Sequence, residues 1–316
     1  MFYKDNYKIG SISVCRIHND GGTFIDIIPQ LGAMVYQICL NDGTGNYVNI
    51  LDCDSEEDFS ENPWFRSRVL FPFNDRIPEG KYTFQGIEYQ LPINNKDDGS
   101  ALHGLVYNRT FTELSYLADE NSAEITYSCS LRKNEIKSYP FAVTLIIAYK
   151  ITNDRFFVKY TINNEDDRTL PVALGWHPYF CLSPGVDDLN LQTGGGAYIA
   201  VDDFLNPTGE ILSVAGSKLD FTKPTRIGEQ QIDIAFNSSS NGKTILESDR
   251  HHLEIYFDPR FFPFVQIFIP PDRNSIAIEP VTAATNSFNI NGLGKLELKP
   301  GEEKTGHVEI SLNRKA

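Results

Sequence analysis

Positive charge is what this 316-residue sequence is shortest of: 28 Lys and Arg stand against 42 Asp and Glu, a formal net charge of −14. Nucleic acid and anionic membrane surfaces are held by clustered Lys and Arg, so neither is an expected partner. Long apolar runs are lacking as well. None approaches the roughly 20 residues of a membrane-spanning helix, and Met1-Phe-Tyr-Lys-Asp-Asn-Tyr7 has no signal-peptide core. The expected location is the cytoplasm. Cysteine is sparse: Cys15, Cys39, Cys53, Cys129 and Cys181 form no CxxC pair and no Cys/His ligand cluster. Reduced, mostly buried thiols follow, with no metal site. Cys181 has no base at useful spacing to make it a nucleophile. A phosphate-cradling loop is also missing, because Gly194-Gly-Gly196 lies in a polar stretch, not between a strand and a helix. Helical periodicity is nearly absent, one turn over Glu56–Glu61 after Ser55 being the exception.

What the chain does have is alternation. Ser11–Ile17, Thr23–Ile28, Ala33–Leu40, Ala142–Ile151 and Phe156–Asn163 alternate or run apolar between turn residues such as Asn19-Asp-Gly-Gly22, Asn41-Asp-Gly43 and Asn153-Asp154. Lys81–Leu91 reads as a tight hairpin turning at Gln85-Gly86, and Leu253–Phe257, Val265–Phe268, Ser275–Ile278 and His307–Leu312 continue the pattern. With 17 Pro and 23 Gly spread throughout, no linker and no repeat, the expectation is an all-β protein, one large antiparallel β-sandwich domain over residues 1–316.

Four places break the alternation in ways a scaffold does not need. In Ala173-Leu-Gly-Trp-His-Pro-Tyr-Phe180 an apolar run presents His177 just where Pro178 should stop ladder pairing. Its aromatic neighbours would hold the ring, and such a histidine either packs at a strand end or passes a proton to a ligand. In Phe71-Pro-Phe-Asn-Asp-Arg-Ile77, Asn74, Asp75 and Arg76 form either a polar turn or fixed partners for hydroxyl oxygens. In Ala101-Leu-His-Gly-Leu-Val106, His103 precedes Gly104, whose missing side chain would let a ligand approach. In Ser275-Ile-Ala-Ile-Glu-Pro-Val281, Glu279 ends an apolar strand before Pro280, with no Lys or Arg within five residues. A carboxylate so placed is ion-paired from afar or is a candidate base. His251-His252 points to opposite faces if extended and shares no metal, and Asp249 and Arg250 beside it suggest a solvated turn; His18 and His307 read as surface residues.

Together these pieces resemble the aldose 1-epimerase (galactose mutarotase) family. The resemblance is carried by Asn74-Asp-Arg-Ile77, Leu102-His-Gly104, Trp176-His-Pro-Tyr-Phe180 and Ile278-Glu-Pro280, and spans about Ile27 to the C-terminus. It implies a β-sandwich with a groove across one sheet, and exchange of the α and β anomers of a free aldohexose without a cofactor. By position, Glu279 matches the family's general base and His177 its general acid. His103 and Arg76 match sugar-binding residues, and Asp233 and Gln266 fall where the family places an aspartate and a glutamine. Two departures bear on sugar preference: Asp75 stands where the family has Asn before the arginine, and Ile234 follows Asp233 where it has His.

The expected partner is a small sugar, and the expected assembly is a monomer or homodimer. Two other readings stay open. A hexose 6-phosphate substrate would need a basic cluster beside the groove, for which Arg66, Arg68 and Arg76 are near enough in sequence. A non-catalytic carbohydrate-binding β-sandwich would need no acid–base pair. A glycosidase would want two opposed carboxylates.

Overall fold

A computed structural model describes residues 1–315 apart from 54, 62 and 204. Among the described residues the strands form a nine-stranded, an eight-stranded and a five-stranded antiparallel sheet, with two two-stranded ribbons. The first 49 residues supply the five-stranded sheet, hairpin after hairpin from Phe2–Ile9 to Tyr47–Asn49. At the middle of the nine-stranded sheet, Val143–Ile151 pairs with Arg155–Asn164, which pairs in turn with the C-terminal strand Glu303–Arg314.

Alternation explains how the two large sheets meet. Along Arg155–Asn164 the residues Phe156, Val158, Tyr160 and Ile162 are fully buried, while Arg155 before them and Lys159 among them are exposed. Phe156 meets Trp176 of the eight-stranded sheet with ring centroids 5.9 Å apart. The largest buried cluster joins Ile147, Val158 and Ile162 of one sheet to Trp176, Val265, Ile267 and Ile278 of the other. Each such side chain contributes about 1.5–3 kcal/mol by leaving water. The inner face of the eight-stranded sheet is thus spent on the core, and its other face is available for polar groups.

The hairpins expected at Asn19–Gly22, Gln85-Gly86 and Asn153-Asp154 are all present. Gln85 and Gly86 both take positive φ, 51° and 79°, as a two-residue turn between right-twisted strands requires. The helical turn is also present, as Asp58–Glu61. Thr112–Ala118 and Pro207–Ser213 escaped notice because each is a sheet edge with mostly exposed side chains, so no period-two pattern marks it. His251 and His252 open the strand His251–Phe257 and do not sit in a turn. There His252 Nδ1 lies 2.7 Å from Glu247, and His251 Nε2 lies 3.6 Å from the buried Asp42. His18 has a partner as well, Asp5 at 2.8 Å.

Pro178 interrupts its strand as expected, Gly175-Trp176 ending just before it, but Pro280 does not. Ile276–Val281 runs straight through Pro280, which stands opposite Val265, and pairing resumes at Tyr179-Phe180 just after Pro178. Gly104 also serves a different purpose from the one expected. At φ 86° it lies against Phe71, and a Cβ there would sit 2.3 Å from the Phe71 carbonyl oxygen. It is required for two backbones to touch, which anchors the His103 loop to the 71–76 segment. Gly104→Ala should cost about 2–3 kcal/mol through combined strain and overlap. Gly99→Ala, at φ 70° with nothing within 4 Å of its Cβ, should cost distinctly less; thermal melts of the two variants check this.

Candidate active site

Sheet register assembles the centre of the site. Gly175 pairs with Val281 and Tyr179 with Ala277, which sets His177 opposite Glu279 where Pro178 interrupts the ladder. On the other side, Gln266 pairs with Glu279 and Ala235 with Gln266. Because side chains alternate, Trp176, Ile278, Val265 and Ile267 face the core while His177, Glu279 and Gln266 face outward together. Asp233, two residues from Ala235 and on the same face, accepts a hydrogen bond from Gln266 Nε2 at 2.7 Å. One row of four strands therefore delivers His177, Glu279, Gln266 and Asp233 to one place.

Two loops supply the rest. His103, at φ 61°, brings its Nδ1 within 3.0 Å of the Asn74 carbonyl oxygen. Its ring meets His177 edge-on at 5.2 Å and Phe65 at 4.6 Å. Asp75 accepts from its neighbour's backbone, Arg76 N, at 2.6 Å and from the Thr285 hydroxyl. The Arg76 guanidinium donates to Asp98 at 3.1 Å and lies 3.7 Å from Asp75. His177, Glu279, His103, Asp75, Arg76, Asp233 and Gln266 all line one open cleft of about 450 Å³.

The electrostatics of this cleft are unusual. Glu279 is 3% and His177 5% exposed, and His177 Nε2 stands 3.5 Å from Glu279 Oε1. Burial, then the negative charges of Asp75 and Asp233, push the Glu279 carboxyl well above its ordinary range, while Arg76 pulls the other way. Burial and the neighbouring His103 push His177 well below the ordinary imidazole value. Asp233 rises to about 6, chiefly through burial, and His103 falls to about 4 for the same reason. Two groups that would carry opposite charges in water are both driven toward their neutral forms. The distant cation missing from the sequence around Glu279 is Arg76.

Some expectations need correction. Asn74 does not line the cleft: it is buried and its amide donates to the Ala283 carbonyl at 2.7 Å. The aromatic partner of His177 is not Trp176, which faces the core, but Tyr179, stacked on it at 4.9 Å and 6°. Arg66 is not among the lining residues; it is held by Asp52 at 3.2 Å and Asp272 at 3.8 Å. Arg68 does line the cleft, but its guanidinium donates to the carbonyls of Leu31, Tyr107 and Phe59. Missed altogether were Trp64, Tyr107, Phe268 and the amides of Asn94, Asn95 and Asn108, which form the outer walls. Their only sequence signal was aromatics and amides gathered in irregular segments. Among the described residues no group of three or more His, Cys, Asp or Glu side chains is placed to hold a metal ion, and no helix is long and apolar enough to cross a membrane.

The fold is that of the galactose mutarotase-like β-sandwiches. A galactose mutarotase-like protein from Clostridium acetobutylicum superposes with a TM-score of 0.88 over 99% of each chain, at 20% identity. The sequence model of the family described as Aldose 1-epimerase matches residues 14–311, and the chain belongs to that family. It is 28% identical over 262 residues to the uncharacterized protein YihR of Escherichia coli, covering 78% of this chain and 79% of that one. It is 29% identical over 210 residues to galactose mutarotase of Bos taurus, covering 65% of this chain and 59% of the bovine protein.

Asp98 bears on how Arg76 is held, since it also accepts from the Ser100 hydroxyl and so stands in a braced loop. For a sugar substrate, Asp98→Ala should free the guanidinium and raise KM about tenfold with kcat changed less than threefold, and Asp98→Glu should recover most of the loss. Steady-state kinetics of both variants check it.

Proposed function

We propose that this protein interconverts the α and β anomers of a free aldohexose by acid–base ring opening and closure. The observation that carries the proposal is the 3.5 Å approach of His177 Nε2 to Glu279 Oε1 in a cleft of sugar-accommodating size. Before reaction, the proton that burial leaves on Glu279 passes to His177, which keeps the net charge of the pair at zero. Glu279 then takes the proton of the C1 hydroxyl as His177 gives its own to the ring oxygen. The C1–O5 bond breaks, C1 becomes a carbonyl carbon, and the open chain turns about C1–C2. Closure on the other carbonyl face reverses both transfers, so every proton is returned. Each positioned group gives on the order of 10²–10⁴-fold, and the reaction asks for no cofactor. Arg76, His103, Asp233, Gln266 and Asp75 hold the sugar hydroxyls.

Charge favours a neutral sugar over its 6-phosphate. Glu61, Asp75, Asp97 and Asp233 line the cleft against two arginines, Arg68 and Arg76, both already engaged. A non-catalytic sugar-binding role is disfavoured by the cost of burying an ionisable pair that binding alone does not need.

Polarimetry on freshly dissolved α-D-glucose and α-D-galactose tests the proposal: the protein should speed equilibration of at least one. Glu279→Gln should lower kcat by about 10³-fold or more while sugar binding persists; a fully active variant would remove Glu279 as the base. In wild type kcat/KM should fall in acid as the pair gains a second proton and in alkali as it loses its only one. Asp75 raises the Glu279 carboxyl, so Asp75→Asn should move the alkaline limb to lower pH. A limb that stays in place or moves upward would contradict this assignment.

A further inference from the structure

His177 is held in an unusual way. Beyond its own backbone, no described group hydrogen-bonds its buried Nδ1, and that bond ordinarily fixes how a working imidazole faces. Packing fixes the ring instead, through His103 edge-on and Tyr179 stacked on it at 6°. Orientation of the proton donor is thereby handed to Tyr179, which is itself braced. Its hydroxyl donates to the Trp64 carbonyl at 2.9 Å. The guanidinium carbon of Arg66, two residues after Trp64, lies 5.2 Å from the Tyr179 ring centroid.

Register puts Arg66 at the end of Tyr179 that points away from His177. Tyr179 pairs with Ala277, so along the outward face His177 lies toward Glu279 and Cys181 toward Ser275. On its other edge Tyr179 O accepts from Asp52 N at 2.9 Å, and Leu51 bridges Phe180, which sets Asp52 beside Tyr179. One oxygen of Asp52, Oδ2, accepts from the Ser275 hydroxyl at 2.7 Å and from Arg66 Nε at 3.2 Å. Asp272, three residues before Ser275, lies 3.8 Å from the same guanidinium. The acceptors of Arg66 therefore gather at the Ser275 end, with Tyr179 between them and the imidazole.

We propose that Arg66 is a positioning residue for the reaction: it clamps Tyr179 against the His177 ring and keeps a fixed cation behind that ring. It acts through Tyr179 and does not meet the sugar. The proposal rests on the epimerase reading of His177 and deepens it. A cation in this place makes the imidazolium a stronger acid toward the weakly basic ring oxygen. The other charged and titratable groups around His177 are Glu279 on the paired strand, His103 on its loop and Arg76 farther off. Arg68, whose carbonyl accepts from His177 N, turns its guanidinium to the carbonyls of Leu31, Tyr107 and Phe59. After burial and His103, Arg66 does most to hold the imidazole below its ordinary value.

Two variants test the inference: Arg66→Gln keeps a donor for Asp52 and loses the charge, and Arg66→Lys keeps the charge. In Arg66→Gln the acid limb of kcat/KM should move to higher pH by about half to one pH unit, because the imidazole then takes its extra proton more readily. In Arg66→Lys the limb should stay close to that of wild type. A uniform fall in kcat/KM at every pH, with the limb of Arg66→Gln in place, would make Arg66 a structural support only and overturn the proposal. Nitrogen-15 NMR of the histidine rings, with His177 assigned by its loss in His177→Asn, gives a readout that needs no turnover. The His177 ring should titrate at higher pH in Arg66→Gln than in wild type, with Arg66→Lys following wild type. Curves of wild type and Arg66→Gln that coincide wherever both stay folded overturn the proposal. Should Arg66→Gln not fold, Arg66→Lys decides, and an upward move of its curve by about half a pH unit or more overturns the role of the charge. The expected shift in a protein that turns over no sugar would remove the epimerase reading and leave the hold of Arg66 on His177 standing.

Discussion

Everything in the cleft depends on one buried contact, the Glu279 carboxyl beside the His177 ring. A carboxylate taken out of water needs a cation or several donors, and an imidazolium needs the reverse. Here each has mainly the other, with Arg76 farther off and Asp75 and Asp233 adding negative potential. Both groups are therefore held toward their neutral forms, with a proton donor and a proton acceptor 3.5 Å apart. That is the property a catalyst of anomer exchange requires, because the same two groups must give and take protons in both directions without a change in net charge.

The scaffold makes that contact by register rather than by loops. Antiparallel pairing around Ile276–Val281 fixes which residues stand in line, and alternation puts their hydrophobic neighbours into the core on the opposite face. A one-residue slip would exchange Glu279 for Ile278. The core thus enforces the geometry of the site at no separate cost. The loops carrying His103, Asp75 and Arg76 are tied to this frame by the close approach of Gly104 to Phe71 and by the Asn74–Ala283 and Asp75–Thr285 bonds.

Much of this was legible in the sequence, because strand alternation is a local signal and the Trp-His-Pro and Ile-Glu-Pro runs interrupt it visibly. The all-β architecture and most hairpins followed directly. What escaped had no local mark. Edge strands such as Thr112–Ala118 expose both faces, so nothing alternates. The role of Gly104 depends on Phe71, more than thirty residues away. Asn74 looked like its neighbours Asp75 and Arg76, yet alternate directions along an irregular segment sent it into the protein. Pro280 stays within its strand, pairing with Val265, and Pro178 interrupts the ladder for only two residues before Tyr179 pairs again.

The most direct test of this neutral pair is a carbon-detected NMR titration of the Glu279 side-chain carboxyl, assigned by its loss in Glu279→Gln. The account predicts a midpoint well above the ordinary value of 4.5 in the empty protein. A midpoint at or below 4.5 would show a stably ionised carboxylate and contradict the account of the pair.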